Sequence, residues 1–377
     1  MGAVMRRGET IDRLFDGRLS RREFGRALAA MGLAVAAFGP RTARAAPSLM
    51  VYEWAGYEPP ELHPGYIAKY GASPDFAFFG TVNEALQKIL SGFQADIAHP
   101  CSTSLKRWQI AGVLQPIDTS RLSNYGDLWP KLRDVPHAQQ DGSTWFVPFD
   151  CGSTSILYRT DLVDPADVQD PSWSLLFNEK YKGRLAMYNA DSMPVEIASR
   201  VLGSYPDYTH LSDPQLADIR KLLAKQRDLL RFYWEDATQV EQALASGEVV
   251  AAMAWNGSVK PLQEQGLPIA YMVPKEGVIT WVCGLVRCKQ GVGDEQAAHD
   301  FIDAMISPEA GAYLIKAQGY AHANSKAYDL VPKELLVVLG YDNPQSSFDA
   351  ASVTEEPDEP YRTRYIDLVD QVKAGIE

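Results

Sequence analysis

The chain is poor in sulfur and in positive charge, and it lacks an apolar run long enough to span a membrane. Four cysteines occur in 377 residues, Cys101, Cys151, Cys283 and Cys288. None belongs to a C-x-x-C pair, and H-E-x-x-H and finger-type spacings are absent too, so any metal site must be assembled by folding rather than by a local motif. No G-x-x-x-x-G-K-[ST] segment is present, which excludes a P-loop ATPase. The apolar stretch 27–38 is well short of the ~20 residues that cross a bilayer. The formal net charge is −12, which argues against nucleic acid or anionic lipid as a partner.

What is present begins with an export-type N-terminus. "SRREFGRALAAMGLAVAAFG" sets Arg21 and Arg22 ahead of a modest apolar run that ends in Ala43, Arg44 and Ala45, a small-residue cleavage pattern. We read residues 1–45 as a twin-arginine signal peptide, which predicts a periplasmic protein. Its removal takes away nine Arg and four acidic residues, leaving 27 basic and 44 acidic groups, net −17. Such a balance is compatible with a cationic ligand.

Beyond residue 47 the pattern is strand, helix, strand, helix. "SLMVYEW" predicts a strand, 60–70 a helix, and "TVNEALQKILSG" a helix with a Thr81/Glu84 capping box and Gly92 past its end. "ADIAHP" predicts a short strand, and 104–111 a helix. After "STWFVPFDCGSTSILY" the alternation restarts with "RLAMYNA", a helix capped by Asp213 with Pro214 in its first turn, then "DATQVEQALASG" and the strand "EVVAAMAWNG". This pattern predicts two α/β units with parallel or mixed sheets flanked by helices. No flexible linker separates them, so strands crossing between the units should form a hinge with a cleft, where ligands favour the carboxyl ends of strands.

The strand ends carry unusual side chains: Trp54 and Tyr57; His99, Cys101 and Thr103; Asp150 and Cys151; Asn189 and Asp191; Trp255 and Asn256; Trp281 and Cys283. In "TWVCGLV" strand alternation puts Trp281 and Cys283 on one face. A single Trp is as readily a core residue as a ligand residue, but three at strand ends with a tyrosine fit a stacking box better.

These segments carry a resemblance. "YEWAGYEPP", "ADIAHPCSTSLKRW", "VPFDCGSTSILY", "EKYKGRLAM", "GEVVAAMAWNGS", "VPKEGVITWVCGL" and "AAHDFIDAMISPEAGAYLIKAQGY" are collinear with, and similar to, the bacterial spermidine/putrescine-binding proteins of polyamine ABC importers. The resemblance implies the two-lobe periplasmic-binding-protein fold of type II. It places lobe 1 in 48–152 plus 283–327 and lobe 2 in 153–282 plus 328–377. It also implies a ligand enclosed by Trp54, Tyr57, Trp255 and Trp281, a separate membrane permease and ATPase as partners, and a monomer that needs no cofactor. Aromatic faces suit an alkylammonium, since the ring attracts the cation and covers the methylenes.

The resemblance fails where the family grips charge. A carboxylate two residues after the last cleft Trp is Cys283 here, and the acidic pair after "RLAMY" aligns with Ala190 and Met193. Asp191 can substitute, although it equally suits a helix N-cap. In the first-lobe loop, Cys101 replaces a serine next to Ser102, and Thr103 a tyrosine. On the crossing strand Cys151 replaces an aromatic. Two ammonium groups in a dry box need compensating carboxylates, so these losses predict a ligand with one charge and poor spermidine binding.

Three readings of the sulfur follow. Cys101, Cys151 and Cys283 with His99 and Met193 form a soft-ligand set suited to Cu(I), another thiophilic ion or an iron-sulfur cluster. Alternatively Cys101 and Cys283 pair as a disulfide, which requires Cα atoms within ~7 Å, or the thiols act as small apolar groups that reshape the box. A fourth reading, an enzyme using Cys101 or Cys151 as nucleophile, needs His99 beside the sulfur.

Overall fold

The computed structural model describes residues 48–341, 343–345 and 356–376. The export signal read in residues 1–45 lies outside the described residues. Among them, no helix is long and apolar enough to cross a membrane.

A mixed sheet organises the molecule. Eight of its strands, β1 (Met50–Trp54), β2 (Asp75–Phe79), β3 (Ile97–Ala98), β4 (Val147–Arg159), β5 (Leu185–Tyr188), β6 (Leu230–Trp234), β7 (Ala251–Trp255) and β8 (Ile279–Cys288), follow the spatial order β2-β1-β3-β8-β4-β7-β5-β6, and three short strands pair at its side. β1 pairs in parallel with β2 and β3 at one end, and β5 with β6 and β7 at the other. β3-β8, β8-β4 and β4-β7 are antiparallel. Each parallel end is connected by helices, as parallel strands require.

Two apolar cores form on this sheet. The first draws on residues 49–151 and 282–341, the second on 156–279 and 365–372. The crossover falls on β4 between Cys151 and Ile156 and on β8 between Ile279 and Val282. These two antiparallel strands carry the chain between lobes, and it crosses a third time between Tyr341 of the first core and Tyr365 of the second. Tyr328, Val331, Leu336 and Tyr341, which the sequence reading assigned to the second lobe, pack into the first core. The Tyr328 hydroxyl anchors them there by accepting from the His322 N–H and donating to the His322 carbonyl.

Local chemistry follows the sequence with shifts at the caps. Thr81 accepts from the Glu84 N–H at the start of α1 (Val82–Leu90), but the Glu84 carboxylate takes the Gly80 N–H instead of closing the reciprocal bond. The helix Asp213–Arg227 is capped by Ser212 with Gln215, one residue before the expected Asp213, because Ser212 holds the extended backbone that a cap needs. Further helices that matter below are α2 (Leu105–Ile110), α3 (Met193–Val201), α4 (Ala237–Ser246) and α5 (Tyr361–Lys373).

Candidate ligand-binding cleft

Between the lobes lies a cavity of about 600 Å³, within the range that holds a small organic ligand. Much of its wall comes from strand ends and the turns that follow them, with Trp281 near the start of β8 and Tyr320 on a loop after a helix. Trp54 ends β1, and its indole N–H donates to the His99 carbonyl at 2.8 Å while the ring lies against Phe79. Trp255 ends β7 and packs against Tyr188 and Trp234. Trp281, on β8, meets Tyr320 edge-on at 5.1 Å between centroids. All three indoles and Tyr57 line the same cavity, as do Cys101, Thr103, Asp191, Met193 and Cys283.

Trp281 and Cys283 thus share a face that points into the cleft. Room for the Trp281 ring exists only because residue 152 is glycine: a Cβ there would sit 2.4 Å from its Cζ2 and 2.6 Å from the Asn256 Oδ1. Gly257 plays the same part for Tyr320, whose ring would lie 2.6 Å from an added Cβ.

The sulfur chemistry is settled by pairing. Cys101 and Cys283 form a disulfide in the cavity wall, with Cα atoms 3.8 Å apart. Cys151, one strand position from Asp150, turns away from the cavity into the first core towards Tyr328 and Tyr341. Burial, with the Asp150 charge, pushes its thiol well up. Cys288 is likewise buried and free.

These placements correct the soft-metal reading of Cys101, Cys151, Cys283 and His99: two of the sulfurs are bonded to each other and the third faces elsewhere. Among the described residues no cluster of three or more His, Cys, Asp or Glu is arranged to hold a metal ion. They also remove the nucleophile reading. Cys101 has no free thiol, the Cys151 thiol resists ionisation, and both His99 nitrogens are engaged by carboxylates. Ser102 is buried behind the loop and does not line the cavity.

His99 belongs to a buried relay instead. Its Nδ1 meets Glu53 Oε1 at 2.6 Å and its Nε2 meets Asp150 Oδ1 at 3.2 Å, while Asp150 Oδ2 accepts from the Tyr57 hydroxyl at 2.5 Å. Burial alone would lower the imidazole's basicity, but the Glu53 charge, hydrogen bonds to both carboxylates and the Asp150 charge outweigh it and raise its pKa from 6.5 to about 10. Burial raises that of Glu53, and the imidazolium offsets part of the rise. The relay pins Tyr57 and Asp150 at the first-lobe side of the cavity.

Sequence reasoning underrated the carboxylates. The family's positions are lost, yet Asp150, Asp191, Glu196, Glu235, Asp236, Glu241 and Glu356 all line the cavity, against one cation, Arg107. Asp191 is not the cap of α3, which falls on Ser192; it stands 3.7 Å from the Arg362 guanidinium. Glu241 and Tyr320 escaped notice because they sit on a helix and on a loop following a helix, outside the strand-end search. The position of α4 immediately after the carboxyl end of β6 was the available signal.

Polar contacts also tie the lobes together. Arg107 on α2 grips Glu356 through two bonds of 2.7 and 3.1 Å, Arg362 on α5 reaches the Asn83 side chain at 3.3 Å, and the Tyr188 hydroxyl donates to the Gly80 carbonyl at 3.0 Å. The Arg362 and Tyr188 contacts join the second core to the first, and Glu356, which precedes α5, also stands 3.4 Å from Arg362.

Comparison with known proteins agrees with this architecture. The family model for bacterial extracellular solute-binding proteins matches residues 80–335. A putrescine/agmatine-binding protein of Pseudomonas aeruginosa is 29% identical over 304 residues, covering 76% of this chain and 81% of its own length. A spermidine/putrescine-binding periplasmic protein of Escherichia coli is 26% identical over 293 residues, with the same coverage of 76% and 81%. Among solved structures, a putative spermidine/putrescine ABC transporter from Listeria monocytogenes superposes with a TM-score of 0.75 at 22% identity, covering 86% of this chain and 98% of its own. At that identity the likeness speaks for the two-lobe fold.

Proposed function

The chain belongs to the bacterial extracellular solute-binding proteins, and from that premise we propose that it captures a small organic amine in the interlobe cavity, outside the cytoplasmic membrane, and delivers it to the permease and ATPase of an ABC importer. The observation that carries this reading is the lining: Trp54, Tyr57, Trp255 and Trp281 face a cavity whose charged groups are overwhelmingly acidic. Indole faces attract an ammonium and cover the attached methylenes, and carboxylates supply the counter-charge that a desolvated cation needs. Relatives named for putrescine, agmatine and spermidine support the same ligand chemistry.

Delivery follows from the hinge. Bending at the two crossing strands opens the cleft to solvent, and closure brings Arg107, Tyr188 and Arg362 to their partners across it. The ligand stabilises the closed form by filling the space between indoles from both lobes.

The test is tryptophan fluorescence and thermal melting of the purified protein with butylamine, agmatine, putrescine and spermidine, with glutarate and glucose as controls. Amines should shift both signals saturably and the controls should not. Absence of any response to amines, or an equal response to glutarate, would refute the reading.

A further inference from the structure

Each carboxylate in the cavity wall can be asked what already satisfies it. Asp150 has both oxygens engaged, one by the Tyr57 hydroxyl and one by the His99 imidazolium. Asp191 faces Arg362, Glu356 is held by Arg107, and Glu196 accepts from the Arg200 guanidinium at 2.8 Å. Asp236 caps α4 by accepting from the Thr238 N–H at 2.7 Å, and Glu235 accepts from the Asn189 amide at 2.9 Å.

Glu241 stands apart. It lies on the first turns of α4, half-buried, and takes a hydrogen bond from the Ser258 hydroxyl; no cation of the described residues lies against it. Desolvation, with the Asp236 charge, makes its ionised form harder to keep. The Tyr320 phenol, in the same cavity wall, feels the charges of both Asp150 and Glu241. A second unmet group lies in the same wall: Thr154, wholly buried and paired through its strand with Trp255, lines the cavity with a hydroxyl that has no hydrogen-bond partner.

We infer that Glu241 is the carboxylate that pairs with the ligand's ammonium, and that the site is built for an amine carrying a single positive charge. This rests on the amine reading above. A charged group that is partly desolvated and lacks a counter-ion needs one from the ligand. Glu235 and Asp236 also lack a paired cation but are exposed to water, so among the described residues Glu241 is the one half-buried carboxylate of the wall without a counter-ion, and it calls for one ammonium. Part of the remaining wall is the neutral Cys101–Cys283 disulfide, which supplies no charge for a second ammonium.

The experiment is titration calorimetry of the full mature chain with butylamine, putrescine and spermidine, on the wild type, Glu241→Gln and Asp150→Asn. Butylamine should bind the wild type, and putrescine should gain no more than about tenfold over it. Glu241→Gln should weaken butylamine by about 10- to 100-fold, as expected for a lost charge-assisted hydrogen bond, while melting as the wild type does. Wild-type affinity should also fall on acidification at a higher pH than an ordinary carboxylate would produce, and that fall should vanish in Glu241→Gln. If Glu241→Gln fails to fold, Glu241→Asp serves, with a smaller loss expected. Wild-type affinity in a folded variant at 241 overturns the inference and leaves the amine reading intact, most directly if Asp150→Asn carries the loss. Putrescine binding more than about 1,000-fold tighter than butylamine overturns the single-charge inference. Failure of the wild type to bind any of the three amines removes the amine reading itself, and the inference with it.

Discussion

The Cys101–Cys283 disulfide offers the most quantitative test of the hinge. It joins residues 182 apart in sequence, and the loop it closes contains the whole second core except helix α5. In the chain-entropy treatment, a loop of that length removes enough freedom from the unfolded chain to stabilise the fold by about 5 kcal/mol at 25 °C. At about 2.1 cal/mol/K of unfolding entropy per residue, a mature chain of about 330 residues moves by roughly 1.5 °C per kcal/mol, so reduction should lower the melting temperature by roughly 7 °C. The assay combines thiol titration in denaturant with urea and thermal unfolding, before and after reduction. Two reactive thiols, Cys151 and Cys288, are expected before reduction and four after it. A Cys101→Ser, Cys283→Ser double variant should match the reduced protein. Four thiols in the untreated, exported protein would contradict the pairing. Unchanged stability after complete reduction would refute the cross-link argument.

Two further predictions follow from the same geometry. Gly152→Ala should force the Trp281 ring out of its seat, because the added Cβ would lie 2.4 Å from it; amine affinity should fall at least about tenfold with a stability loss of about 1–3 kcal/mol, and unaltered calorimetry would disprove the seating. For His99, whose pKa rises from 6.5 to about 10, the folded state holds its proton more tightly than the unfolded one. Its contribution to stability is complete below about 6.5 and is lost as the pH rises towards 10. The urea midpoint should drop between pH 7 and pH 10 more steeply in the wild type than in His99→Gln, and parallel slopes would show that the relay does not hold the proton.

The two-lobe plan was legible because its signals are local. Alternating apolar residues and the Thr81 cap act over a few residues, and both recur in the structure, while the cap expected at Asp213 falls one residue earlier on Ser212. The aromatic walls were legible for a related reason: Trp54 and Trp255 each end a strand and Trp281 lies near the start of one, so an indole at those positions reaches the cleft. Which member of the Asp150/Cys151 pair enters the cleft was not legible, since neighbours on a strand point opposite ways and nothing in the sequence fixes the parity of β4 against the hinge. The same holds for the disulfide, whose partners meet only once β3 and β8 pair. Charge was misread because it was sought at the positions of the resembled family, whereas Glu241 reaches the cleft from a helix whose polar face looks like any solvated surface.

The measurement that bears most directly on the account is a crystal structure of the mature protein grown with saturating butylamine. The account predicts the amine inside the cavity between the two lobes, its alkyl chain against the indoles of Trp54, Trp255 or Trp281 and its nitrogen at Glu241. An empty cavity with butylamine bound at another surface would contradict it.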